Sequence, residues 1–241
     1  RAVVRRATVG LFHGRETYDH YSPYARQSVV MHNILVDRAD HIDAATLAEK
    51  RAKVARGPLK LVYAGRADAM KGPLDWVDIL AGLKARGVAF TATWLGDGAQ
   101  FGQMRDALDR HGLTDQVDLP GFVTDRARVL REMREAHVFL FCHKTPESPR
   151  CLIEALISGT PVVGYDGAYA CDLIQNDRGG VLRPIGDVEA VADAVAALDA
   201  DRTGLAALMS AAYGCGKGFD VDSLYRDRAA VIRQHLGDGG N

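Results

Sequence analysis

Between His143 and Tyr165 the chain reads HKTPESPRCLIEALISGTPVVGY, the densest chemistry in the sequence. Two carboxylates, Glu147 and Glu154, flank Ser148-Pro149-Arg150, where the residue types predict a helix start. Ser148 can cap the helix, and Pro149 suits the first helical position, where a missing N–H is harmless. The free N–H groups of that first turn, with Arg150, then form an anion site with a carboxylate on each side. Such a site suits a sugar joined to a phosphate. Leu152, Ile153, Leu156 and Ile157 predict the apolar face of the helix, Ser158-Gly159 its end, and Thr160 to Gly164 a buried strand. Arg150 and Glu154 stand four apart, which by itself implies an ordinary ion pair of about 0.2–0.5 kcal/mol. Their place after a strand supports a second reading, in which Glu154 accepts two hydrogen bonds from a ribose diol.

A second cluster, AGRADAMKG, sets Arg66 just after an apolar strand run and Lys71 five residues later, before Gly72-Pro73 opens a helix. Two cations in one strand-to-helix loop suit a diphosphate, each charge-assisted hydrogen bond contributing about 1.5–3 kcal/mol. The competing expectation is that they pair with nearby acids such as Asp68 and Asp75. A third stretch, WLGDGAQFG, invites a dinucleotide reading through Gly96, Gly98 and Asp118. It fails at the third glycine, because position 101 is Phe and Gly102 is one residue late. A tight turn into a helix is the expectation there.

These loops are carried by short apolar strands alternating with helices. From Leu59 the order is LKLVYAG, a helix through Trp76 to Arg86, Phe90 to Leu95, a helix to His111, QVDLPGF, a helix over 125–135 and HVFLFCH. Then come the helix 149–157, TPVVGY, a short helix near Tyr169 to Leu173, GGVLR, a helix over 187–199 and a final helix near 222–236. Such alternation predicts an α/β fold with a parallel sheet covered on both faces, ligands binding beyond the carboxyl ends of the strands. Residues 1 to 36 predict a strand at Ala7 to Phe12, a loop with Tyr18, Tyr21, Tyr24, His13 and His20, and the apolar run SVVMHNILV. Residues 37–58 read as a linker or an edge helix. Because the chain opens on Arg1 and on a strand with nothing before it to pair with, it is expected to be a fragment.

The 241 residues, 47% hydrophobic and 25% charged with net charge -1, fit a globular chain of one or two domains. That charge supplies no broad attraction for nucleic acid. No run of about 18 apolar residues exists, so membrane contact is expected to be peripheral at most, near the basic RAVVRR start. Cys142, Cys151, Cys171 and Cys215 lack C-x-x-C spacing, which predicts reduced thiols, no zinc site and a cytoplasmic location, with contact at the inner face of the membrane at most.

The block from Leu59 to about Val181 resembles the C-terminal, nucleotide-sugar-binding domain of family 4 glycosyltransferases (group 1 glycosyl transferases, retaining, of GT-B architecture). The matching stretches are AGRADAMKG, WLGDGAQFGQM, DQVDLPGFV and ESPRCLIEALISGTPVVG. The resemblance implies a Rossmann-like domain, the C-terminal half of a GT-B fold, over residues 58–215. It further implies a remnant of the N-terminal domain with linker over 1–57 and a helix crossing back over 216–241. By the same resemblance Arg66 and Lys71 bind the donor diphosphate, Glu154 holds the ribose hydroxyls and Glu147 contacts the donor sugar. Backbone groups at Ser148, Pro149, Arg150, Cys151 and Leu152 hold phosphates and sugar, and the loop Gly121, Phe122, Val123 lies against the base. The family usually separates its glutamates by one residue more than the six between Glu147 and Glu154.

The implied reaction is retaining transfer of a hexose-type sugar from a nucleoside-diphosphate sugar to a glycan or lipid-linked acceptor, as in polysaccharide biosynthesis, without metal or cofactor. The acceptor side lies on the N-terminal domain, so donor binding with little turnover is expected of this chain. A GT-B sugar-nucleotide epimerase, a non-catalytic nucleotide-sugar-binding module and an NAD-dependent oxidoreductase are the rival readings.

Overall fold

A computed structural model describes residues 1–174 and 178–237. Its main sheet has six parallel strands, β3 (Leu59–Ala64), β4 (Phe90–Leu95), β5 (Val117–Gly121), β6 (Val138–Phe141), β7 (Val162–Tyr165) and β8 (Gly180–Arg183), in the order β5-β4-β3-β6-β7-β8. The chain therefore winds outward from β3 in one direction, returns, and winds outward from β6 in the other. β3 and β6 are neighbours with Leu61 opposite Val138. Their following loops leave the sheet on either side of this reversal, where a doubly wound sheet opens its crevice.

Burial explains the strand sequences. Every residue of β6 and β7 is buried, as expected for strands covered on both faces. Tyr63, Trp94 and Phe139 stack across β3, β4 and β6, and Trp76 of the helix Pro73–Ala85 meets Trp94 edge-on at 5.4 Å between ring centres. That helix packs against the helix Val188–Ala200, while Cys151–Ile157 packs against Arg202–Gly216. The last of these was not expected from the sequence: its apolar residues, among them Leu205, Met209 and Ala212, are diluted by Gly and Ala, and its polar face is weakly charged.

A smaller parallel pair, β1 (Gly10–His13) and β2 (Ser28–Met31), stands beside the sheet. β1 begins later than the expected Ala7–Phe12, because residues 2–6 form a short helix that ends where Ala7 turns extended. The expected Tyr/His loop contains a helix, Arg15–Tyr21. Residues 37–58 are bound firmly to the main body: the helix Ala44–Lys53 is capped by Asp43, and Ile42, Leu47 and Val54 join the core. Lys50 is buried and its Nζ donates to the Ser158 carbonyl and to Thr160 Oγ1 at 3.2 and 2.5 Å, tying this helix to the turn before β7.

Candidate active site

The two loops at the reversal build one cleft. After β3, Gly65 and Arg66 lead to a single 3-10 turn, Ala69–Lys71, stopped by Gly72 in the left-handed region at φ 64°. A Cβ at Gly72 would meet the Cys142 carbonyl oxygen at 2.2 Å, so glycine lets Lys71 reach the loop after β6. Gly96, at φ 153°, has the same role one strand over: a Cβ there would stand 1.9 Å from the Gly65 carbonyl oxygen. The Gly96-Asp97-Gly98 turn thus presses backbone to backbone on the Arg66 loop. The Phe101 N–H donates to the Gly98 carbonyl at 3.1 Å, a tight turn into the helix Phe101–Arg110, as expected.

After β6, residues 142–150 run to the helix Cys151–Ile157. The helix begins two residues later than the sequence suggests, with Arg150 as its N-cap and no side-chain cap. The reason is a preceding tight turn, in which the Leu152 N–H donates to the Pro149 carbonyl at 3.3 Å, leaving Ser148 too far upstream to cap. The helix ends as expected at Gly159, φ 62°, with the Thr160 N–H returning to the Ala155 carbonyl.

The resulting cleft, of about 550 Å³, is lined by Arg66, Lys71, Glu147, Ser148, Pro149, Arg150, Cys151 and Glu154, with Tyr63, His143, Arg126 and Leu35. Two long-range ion pairs order it. Lys71 pairs with Glu147, both mostly buried at 13% and 25% side-chain exposure. Glu154 pairs with Arg126 at 2.7 Å, and Arg126 reaches on to Asp40 at 2.9 Å. The simple alternatives therefore divide. Arg66 does pair with Asp68 at 3.1 Å, its side chain 71% exposed, but Asp75 binds Lys144 and the Tyr165 hydroxyl rather than Lys71. Arg150 makes no ion pair with Glu154. Leu152 is buried in the core, so its side chain does not line the cleft. Gly121, Phe122 and Val123 are not among the lining residues, and Phe122 is exposed.

His143 and Tyr63 were not picked out by sequence. The Tyr63 hydroxyl lies 2.5 Å from His143 Nε2, and His143 Nδ1 lies 3.4 Å from Glu147 Oε2. Burial, reinforced by the Lys71 charge, pushes the His143 pKa down to about 3. A neutral imidazole with its proton on Nδ1 accepts from the phenol and turns a positive edge toward the carboxylate, whereas the other tautomer would aim a lone pair at it. Burial raises the Tyr63 pKa well above its usual value, so the phenol keeps its proton. Burial first, then the Glu154 charge, raises Cys151 to about 12; it stays a thiol and supplies no nucleophile at neutral pH. Arg126 was also missed; nothing local in sequence joins it to Glu154, 28 residues away.

Beyond Glu147 and Ser148 a second cleft of about 300 Å³ opens toward the end of β1, lined by His13, Arg15, Glu16, His20, Tyr21, Tyr169 and Asp172 among others. The Arg15 N–H donates to Asp172, joining the helix Arg15–Tyr21 to the helix Ala168–Ile174. Of the aromatic groups singled out near the start, His13, His20 and Tyr21 line this cleft. Tyr18 packs on Phe12, and His32, within the apolar run SVVMHNILV, packs edge-on against Tyr169 and Phe219. Among the described residues no group of three or more His, Cys, Asp or Glu side chains is arranged to hold a metal ion, and no helix is long and apolar enough to cross a membrane.

Residues 58–201, more than half of the chain, match the family of glycosyl transferases group 1. The chain belongs to that family. It is 26% identical over 234 residues to the putative colanic acid biosynthesis glycosyltransferase WcaL of Escherichia coli, covering 83% of this chain and 57% of that protein. It is 36% identical over 135 residues to a GDP-mannose-dependent alpha-mannosyltransferase of Mycobacterium tuberculosis, covering 54% of this chain and 32% of that one. The crystal structure of HepE from Anabaena in complex with UDP superposes with a TM-score of 0.79 at 21% identity, over 96% of this chain and 65% of that one. Sucrose-phosphate synthase from Thermosynechococcus elongatus gives 0.79 at 18% identity, over 98% and 60%. The fold is thus that of GT-B glycosyltransferase domains. The chain spans 57% and 54% of the length of two curated WcaL relatives.

Proposed function

We propose that this chain forms the donor side of a retaining glycosyltransferase that takes its sugar from a nucleoside diphosphate, the HepE complex with UDP-glucose making a uridine donor the first to test. One observation carries the reading: Arg66, Lys71, Glu147 and Glu154, far apart in sequence, converge on a single cleft at the strand-order reversal. In this reading residues 58–215 form the donor domain. Residues 1–57 belong to the acceptor domain and its linker, and the final helix braces the two.

The diphosphate lies between Arg66 and Lys71. Arg66 is exposed and, among the described residues, held only by Asp68, so it turns to the phosphates without a large desolvation penalty. Lys71 is shared between Glu147 and the phosphate nearest the sugar. When the bond between the anomeric carbon and the phosphate oxygen breaks, negative charge gathers on that oxygen. Removing one such stabilising donor lowers rate by about 10²–10³. Glu147, positioned by Lys71 and His143, accepts hydrogen bonds from sugar hydroxyls. Glu154 takes the ribose diol, exchanging part of its contact with Arg126. The acceptor, a glycan or lipid-linked sugar, enters through the smaller cleft, which shares Glu147 and Ser148 with the donor site. Nucleotide sugars are made in the cytoplasm, and the protein would work there or at the membrane's inner face.

Thermal-shift titration with UDP-, GDP- and ADP-sugars, against NAD(H), tests this. A sugar nucleotide is expected to raise Tm while NAD(H) does not. Stabilisation by NAD(H) alone would remove the donor-site reading.

A further inference from the structure

At the opposite end of the sheet from the donor cleft lies a cavity of about 540 Å³ that the proposed reaction does not use. It sits where the helix Ala44–Lys53, the end of the helix Arg126–Glu135 and the first residues of β3 and β6 meet. Its lining includes Lys50, Lys53, Arg56, Lys60, Arg131 and Arg134 against two acids, Glu49 and Glu135. Burial pushes the Lys50 pKa well below the usual lysine value, which leaves five firm cations; less two carboxylates they give a formal +3 in one cavity of a chain whose net charge is -1.

Helix C-termini favour cations, which accounts for basic residues at the ends of the two helices. It does not account for Arg56, in a turn, or Lys60, on β3. Nor does internal pairing absorb the charge. Lys53 is met by Glu49 at 3.4 Å, and Lys50 Nζ is taken by oxygens of Ser158 and Thr160. Arg56, Lys60 and Arg131 have no acidic partner among the described residues. Two further N–H donors belong to the lining residues. Arg134 Nε is buried without a hydrogen-bond partner. His137 Nδ1 accepts the Lys60 N–H at 3.1 Å, so the ring's proton sits on Nε2. Burial foremost, then neighbouring cations such as Arg202 and Lys60, pushes the His137 pKa down to about 4, so the ring is neutral.

We propose that this cavity binds a multivalent phosphate, either a small polyphosphate or the phosphate headgroup of an anionic lipid. A doubly charged phosphate would meet Arg56, Lys60 and Arg131 as charge partners and His137 Nε2 as a donor.

The test uses the 241-residue chain carrying Arg66→Ala and Lys71→Ala, which silences the donor cleft. It is titrated with inorganic pyrophosphate and, separately, sedimented with phosphatidylcholine vesicles with and without phosphatidic acid, whose headgroup is a phosphomonoester. Saturable pyrophosphate binding, with the His137 pKa rising from its low value by NMR, supports a small phosphate ligand. Sedimentation only with the anionic vesicles supports a headgroup. In either case Arg56→Gln, Lys60→Gln and Arg131→Gln together are expected to weaken binding about a hundredfold, at about fivefold per cation. All three side chains are exposed, so folding is unaffected, and Arg131→Gln alone gives the smaller effect should the triple variant lose Tm. Binding of neither probe, or binding that the substitutions leave unchanged, overturns the proposal.

Discussion

The pair Lys71–Glu147 offers a test in which a structural and a ligand-binding role give opposite signs. Breaking a buried pair destabilises by about 3–5 kcal/mol and a surface pair by about 0–1 kcal/mol. With side chains 13% and 25% exposed, this one falls between, and Lys71→Met should lose about 1–3 kcal/mol of stability. Glu147→Gln should lose less, because an amide keeps a hydrogen bond from Lys71 and leaves no buried anion. For nucleoside diphosphate the two variants should diverge. Lys71→Met removes a charge-assisted hydrogen bond of about 1.5–3 kcal/mol, a drop of about 10- to 150-fold in affinity. Glu147→Gln frees Lys71 from its competitor, so the affinity for the bare diphosphate should hold or rise a few-fold. The extra affinity of the full nucleotide sugar over the diphosphate should shrink. Isothermal titration of UDP and UDP-glucose against both variants, beside urea denaturation, separates these outcomes. Equal losses of UDP affinity in both, or an unchanged affinity in Lys71→Met, would refute the assignment of Lys71 to the phosphates.

A double-mutant cycle on Arg126→Ala and Glu154→Ala should show a coupling of about 0.5–3 kcal/mol in stability, given the 2.7 Å contact. A coupling near zero would mean that Arg126 does not hold Glu154. Gly96→Ala should destabilise by about 2 kcal/mol or more and weaken diphosphate binding, because its Cβ would strike Gly65 beside Arg66. Gly102→Ala, on an open helix face, should instead stabilise by up to about 1 kcal/mol, and identical Tm values for the two would count against the close packing. His143 and His137 have pKa values lowered to about 3 and about 4, so below pH 6.5 the unfolded chain binds protons that the folded chain refuses. Stability should therefore fall as pH drops from 6.5 toward 4, by about 1.4 kcal/mol per pH unit for each histidine. His137→Asn should remove one histidine's share of that slope, measured by urea denaturation, and an unchanged slope would contradict it.

Local pattern in the sequence determined much of this protein. The apolar runs of β3 to β8 and the helices between them are spelled by hydrophobic periodicity, and their alternation requires parallel strands with crossovers. The ends of those strands then mark Arg66, Lys71, Glu147 and Glu154 as neighbours of one crevice. Helix boundaries were less legible: Ser148-Pro149 looks like a cap, yet a tight turn at Pro149 moves the start to Cys151. The helix Arg202–Gly216 stayed hidden because Gly and Ala blur its periodicity. Only the tertiary structure decided which charges meet. Lys71 passes over the nearby Asp75 for Glu147, 76 residues away, because Gly72 lets its loop close on Cys142. Glu154 passes over Arg150, one turn back on its own helix, for Arg126, because the helix Arg126–Glu135 presents that side chain across the cleft. Tyr63 and His143 come together 80 residues apart because β3 and β6 are adjacent in the sheet. Spacing along a chain ranks partners by sequence distance, whereas the strand-order reversal brings together loops that no short window of sequence contains.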